Sequence, residues 1–424
     1  MRLKKSFAVV LSFLLIMSIV TACSSSSSGG TDSGKITLVM WSHKDTGIEE
    51  ADKQLVKAFE DSHPNIKIKF QNFPYDEYVN KLKASFSASN GPDLAEMFGT
   101  WVPQYTKNDL LLEVPNGDQY KNDFYEAPLG GYLKDGKVYG VPLEYNIENG
   151  SMLAYPDMFK DAGLEYPKTW DELVAAAKKL TVMDGKNIKV KGFDFTSYDS
   201  VTFLFLSMIL QQGGDYWDSN GHINFHSPEA IKAMNEMVTL ARDYKVADYK
   251  EMNYDLDSSD YFFKGESAMT MRGPWVIPAA ETTYQVENFD YAPIPSFTSN
   301  PPSFASESGW GIVGNKKTKH KEAVLKYLEF VSQPENALAW NLVSHTVPAQ
   351  KSVAQGPDFI KAAPMMETPL SVLEYGKYIG PIGDRDYMWD EINAAFIEMC
   401  ENKTSVEDGL KKLETNINKM LDGQ

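Results

Sequence analysis

The chain has 424 residues, more than one hydrophobic core usually supports, so two domains are expected. A formal net charge of −17 argues against a nucleic-acid partner, which would need a basic face. Two cysteines, Cys23 and Cys400, are too few for a disulfide framework or a four-ligand zinc site, and six histidines stand without metal-ligand spacing, so neither a metal nor a cofactor is expected.

The N-terminus begins with Arg2, Lys4 and Lys5, followed by an apolar run over 7–20 broken only by Ser12 and Ser18. The run is short for a membrane span and fits an export segment. Val20-Thr21-Ala22-Cys23 follows, then a Ser/Gly-rich stretch to Gly34 that reads as flexible coil. Together these resemble the start of bacterial lipoproteins. The resemblance implies a signal peptide over 1–22, a Cys23 that carries lipid, and a tether over 23–34 at the membrane's extracytoplasmic face.

Beyond the tether the spacing predicts a strand over 36–41, a helix opened at Thr46-x-x-Glu49, and a strand over 66–70. A helix over 75–89 and a strand over 94–98 continue the alternation, which is the pattern of a parallel sheet with crossover helices. Ligands of such sheets sit outside the carboxyl ends of the strands. Here those ends carry Trp41-Ser42-His43, Phe73-Pro74-Tyr75 and Gly99-Thr100-Trp101.

Residues 139–155 read as a strand and a chain crossing. A short helix to Gly163 follows, and Thr169-Trp-Asp-Glu172 is a capping box. Helices are predicted over 170–180, 202–211, 227–244 and 322–332, with a further one capped by Ser332-x-x-Glu335, and two more over 389–400 and 405–421. Tyr261 to Trp275 contains Gly-Glu-Ser-Ala-Met-Thr-Met-Arg-Gly-Pro-Trp, and Ser308-Gly309-Trp310 opens a late strand. Return crossings are expected near 290–296 and 341–348.

No esterase elbow, zinc-protease motif or phosphate-binding glycine loop is present. Acid pairs such as Asp384 and Asp386 read as solvated charge. The unusual supply is of rings and amides at the strand ends and crossings. Flat aromatic rings cover the C–H face of a sugar, while carboxylates, amides and arginine bond its hydroxyls.

Four blocks resemble, in order, the family 1 extracellular solute-binding proteins: Tyr139-Gly-Val-Pro142, Pro167-x-Thr-Trp-Asp-Glu-Leu173, the segment ending Gly273-Pro-Trp275, and the strand, basic turn and helix after Trp310. The chain departs from the family pattern at Pro156, which stands where an Asn follows Tyr155. The resemblance implies a periplasmic-binding-protein-like α/β fold. Its two discontinuous lobes, 35–142 plus 293–342 and 143–292 plus 343–424, are joined by a hinge around a ligand cleft. It further implies a monomeric binding protein, not an enzyme, that delivers a carbohydrate, an oligosaccharide, to the permease subunits of an ABC importer.

Candidate ligand-binding residues are Trp41, Ser42, Tyr75, Thr100, Trp101, Glu144, Tyr145, Asn146, Asn149, Trp217, Arg272, Trp275, Trp310 and Trp389. By motif register Trp275 and Trp389 match the family's stacking tryptophans and are expected to form a clamp. Glu144, Asn146, Glu148 and Asn149 are equal candidates for its crossing-segment polar ligand. Thr100 and Trp101 stand where the family's maltose binders carry an acid and an arginine, which points to a different sugar. The alternatives are a secreted glycan-processing enzyme, which would turn oligosaccharide over, and a surface carbohydrate adhesin, which would not close on its ligand.

Overall fold

The computed structural model describes residues 34–86, 91–252 and 257–423; the export segment, Cys23 and nearly all of the tether lie outside them. From Lys35 onward the chain forms one compact unit, and within it two α/β lobes each enclose a core.

The first lobe is built on a five-stranded sheet. Ile36–His43 lies parallel to Ile66–Phe73 on one side and to Leu94–Phe98 on the other. Trp310–Gly314 then runs antiparallel to Leu94–Phe98, and Val141–Pro142 completes the row. The late strand therefore makes the sheet mixed. The helix Thr46–Ser62 buries Ile48, Ala51, Leu55 and Phe59 at helical spacing. Its cap is Asp45, not Thr46: Asp45 Oδ1 accepts from the amides of Gly47 and Ile48, each at 3.0 Å. Ser332 does not cap the next helix either. Pro334–Ser344 begins after Gln333 with no side-chain cap, because Pro334 holds Gln333 extended and takes the first helical position itself.

The second lobe has Ser151–Ala154 at the centre of a three-stranded sheet, antiparallel to Met269–Thr270 and Asp290–Pro293. The helix Tyr198–Gln211, capped by Ser197, is buried from Ser200 to its end. The capping box of Thr169 and Glu172 opens Trp170–Leu180 as predicted. The helix predicted from Trp389 begins one turn earlier, at Arg385, because Asp384 caps it. Trp389 therefore lies inside the helix, sharing a buried stripe with Ile392 and Phe396.

Three segments join the lobes. Leu143 and Glu144 both donate to Trp310 O, at 2.9 and 3.1 Å; Tyr145 donates to Val347 O at 2.7 Å and Asn146 to Ser308 O at 3.1 Å. Residues 290–293 remain within the second sheet, and Phe304–Ser306 pairs with Gly376–Tyr378, with Ala305 in the second core. The chain regains the first sheet only at Trp310. Its entry passes through Ser308 and Gly309, at φ of 85° and 129°. A Cβ at Gly309 would meet the carbonyl oxygen of Glu144 at 2.3 Å, so this close approach of two crossings requires glycine.

Candidate ligand-binding cleft

Trp310 owes its position to the sheet. As the first residue of its strand it pairs with Phe98, the last of the neighbouring strand, so both rings stand at the carboxyl edge of the first lobe. Trp310 stacks on His43, with centroids 4.1 Å apart, and meets Phe98, Trp101 and Tyr75 edge-on at 4.6, 5.4 and 6.5 Å. His43 is held from behind by Glu96, 2.7 Å from its Nδ1. Burial would lower the His43 pKa, but Glu96 together with Asp45 and Asp52 outweighs it and the net direction is up.

The second-lobe wall is built on charge. Trp275 follows Gly273-Pro274 in a short 3₁₀ turn, and its indole N–H donates to Glu148 Oε1 at 2.5 Å. Glu148 also accepts from Arg272 Nη1 at 3.1 Å, Gly273 N at 3.3 Å and Asn146 Nδ2 at 3.4 Å. Arg272, buried, bonds Asp257 at 2.8 Å and lies over the Trp275 ring at 5.4 Å. Further along, Arg385 forks onto Glu307 at 2.7 and 2.8 Å and reaches Asp199 at 2.6 Å. Burial alone would raise the Asp199 carboxyl, but Arg385 and Arg272 hold it below its ordinary range.

These walls enclose a cavity of about 240 Å³, into which Trp275 and Trp310 come from different lobes. Its lining also holds Tyr75, Glu144, Asn146, Glu148, Asp199 and Phe203. A second cavity of about 520 Å³, lined by Trp101, Gln104, Lys83 and Asn108, shares Arg385 and Asp386 with the first. The concavity thus continues outward past Trp101. Glu144 is 4% exposed and its carboxylate accepts from Trp310 N at 3.2 Å. Burial pushes its pKa up to about 8; the Trp310 amide opposes this, while Glu148, Glu96 and Asp45 add to it.

Of the residues predicted from the sequence, Tyr75, Glu144, Asn146, Trp275 and Trp310 line the inner cavity and Trp101 the outer one. Arg272 stands behind Trp275 as its support. The others lie elsewhere. Ser42 is fully buried and donates to Glu96 at 2.7 Å; Thr100 is buried and donates to Glu307 at 3.1 Å. Tyr145 reaches Leu373 O at 3.0 Å, and Asn149 reaches Phe203 O at 3.2 Å. Trp217 donates to Ile379 O at 2.7 Å, and Trp41 meets Phe73 edge-on and donates to Gln71. Trp389 is 0% exposed, edge-on to Phe203 and covered by the Arg385 guanidinium at 4.3 Å. The early start of its helix turns it inward, so it backs the wall rather than facing the cavity.

His43, Asp199, Glu307 and Arg385 are lining residues that the sequence reading missed. Of these only His43 carried a local signal, its place at the carboxyl end of the first strand.

The model of bacterial extracellular solute-binding proteins matches residues 45–338. The chain is 26% identical over 363 residues to the arabinooligosaccharide-binding protein of Bacillus subtilis, covering 80% of each chain. Its fold is similar to an ABC substrate-binding protein of Listeria monocytogenes in complex with cycloalternan, with a TM-score of 0.77, 24% identity, and 92% and 99% of the two chains covered. It is likewise similar to a cyclic alpha-maltosyl-1,6-maltose binding protein from Arthrobacter globiformis, with a TM-score of 0.77, 22% identity, and 92% and 100% covered.

Proposed function

The chain belongs to the bacterial extracellular solute-binding proteins, and on that premise we propose that it captures an oligosaccharide in the interlobe cleft and delivers it to the permease subunits of an ABC importer. The observation that carries this reading is the pair of indoles from different lobes, Trp275 and Trp310, lining one cavity with carboxylates and an amide between them. Rings take the apolar faces of a sugar, and acceptors take its hydroxyls. The arabino-oligosaccharide and cycloalternan named for similar proteins support the same class. The ligand leaves as it entered, because the role is capture and transfer rather than turnover.

Thermal unfolding over a panel of neutral arabino- and malto-oligosaccharides tests this, since a ligand that binds the folded state alone raises stability by mass action. A saturable rise with at least one member is expected. Uniform melting across the panel would overturn the carbohydrate reading.

The same reading places the protein on the extracytoplasmic face as a monomer held by lipid on Cys23, which lies outside the described residues. Cys23→Ala is expected to abolish incorporation of labelled fatty acid and release the protein from the membrane. Label retained by the variant would refute the anchor.

A further inference from the structure

The lining of the inner cavity carries Asp45, Glu144, Glu148, Asp199, Glu307 and Asp386 against a single arginine, Arg385. That arginine is already engaged by Glu307 and Asp199, and Arg272 behind the wall by Asp257 and Glu148. Glu144 stands apart. Among the described residues its carboxylate accepts one hydrogen bond, from the Trp310 amide, and the charges that act on it most are the acids Glu148, Glu96 and Asp45.

Beside it, Asn146 is 5% exposed and lines the same cavity. Its amide nitrogen turns to Glu148, which fixes the orientation of the group, and its amide oxygen is left buried without a partner. A buried acceptor without a donor is costly, and so is a buried carboxylate without a counter-charge. The floor of the cavity therefore offers acceptors and asks the ligand for donors. A hydroxyl can satisfy the acceptors. Only a basic nitrogen can also take up the proton that the buried Glu144 keeps before ligand binds and pair with the carboxylate this leaves. An acidic sugar has no proton to accept into a pair and would bring its charge against the other acids of the same lining.

We propose that Glu144, with the amide oxygen of Asn146, is the specificity-determining site of the cleft, taking a basic nitrogen on a sugar ring and rejecting a sugar acid. The proposal rests on the carbohydrate reading and narrows it to amino sugars. No covalent step is involved. The free amine takes the proton from Glu144, the ammonium so formed donates to Glu144 and Asn146, and the sugar face lies on an indole.

Titration calorimetry compares three disaccharides of one skeleton: chitobiose with free amines, cellobiose, and cellobiouronic acid. The amine form is expected to bind about tenfold tighter than cellobiose or better, as a charge-assisted bond should, and the acid more weakly than cellobiose. Glu144→Gln keeps an oxygen for the Trp310 amide. It is expected to cost the amine form about tenfold more affinity than it costs cellobiose, whereas a merely structural role for Glu144 would weaken both alike. Amine binding no tighter than cellobiose, or absent, overturns the proposal, as does an acid form that matches the neutral one. The wild-type comparison decides this even if the variant folds poorly. The neutral-oligosaccharide panel judges the carbohydrate reading separately, so the two can fail independently.

Discussion

On the first-lobe wall of the cleft, rings hold rings: Trp310 is fixed by His43, Phe98, Trp101 and Tyr75. On the second-lobe wall, charges hold a ring: Trp275 is fixed by Glu148, which is in turn fixed by Arg272, Gly273 and Asn146. The difference lies in how each wall fails. Stacked and edge-on rings contribute independently, and losing one leaves the rest packed. A buried ion-pair network is cooperative, because deleting one member strands the others as unpaired charges in a poor solvent. The first wall can thus be worn down in steps, and the second collapses at its linchpin.

Arg385 is that linchpin, since Glu307 and Asp199 both depend on it and its guanidinium also covers Trp389. Arg385→Ala is expected to cost about 3–5 kcal/mol of unfolding free energy, measured by denaturant titration. A loss below about 1 kcal/mol would show that the second wall is not cooperative. Replacing any one edge-on partner of Trp310 should cost less.

The two indoles sharpen the contrast. Trp275 is half-buried and attached through one polar bond, so Trp275→Ala should remove about 1–3 kcal/mol of ligand affinity with little effect on the melting temperature. Trp310 is 8% exposed and packed into the first core, so Trp310→Ala should lower affinity and stability together. Calorimetry and unfolding curves on both variants check this. Equal stability losses would mean that the two walls hold their rings in the same way.

The strands and crossover helices of the first lobe were legible because each carries its own period, and in the second lobe Thr169 with Glu172 formed the box that their spacing foretold. The rings that line the inner cavity were legible where the backbone places them. Trp310 begins a strand, and Trp275 follows a Gly-Pro turn. Trp389 was misjudged because its direction depends on where its helix begins, and the cap at Asp384 moved that start by a turn. Arg385, Glu307 and Asp199 were hidden for a different reason. They come from 186 residues of sequence separation and less, and nothing local tells a charge that will meet two partners in a cleft from one that will face water.

The last contrast, read per unit of pH, concerns the carboxylate that neither wall neutralises. Glu144 has its pKa raised from an ordinary 4.5 to about 8 in the folded chain, chiefly by burial and further by Glu148, Glu96 and Asp45, with His43 lining the same cavity. Between those two values the folded state holds a proton there that the unfolded state has lost. Stability must therefore fall as pH rises through this window, by up to about 1.4 kcal/mol per pH unit from this group alone. Asp199 has the opposite sign: its pKa is lowered, so its contribution is lost only at the acid end, as pH drops through the folded value. Subtracting one protein from another isolates Glu144. Unfolding free energies of the wild type and Glu144→Gln, measured from pH 5 to about 8 without ligand, should diverge steadily, with the variant gaining relative stability toward the alkaline end. Parallel curves would mean that Glu144 ionises in the fold as it does in water, and that a counter-charge already meets it.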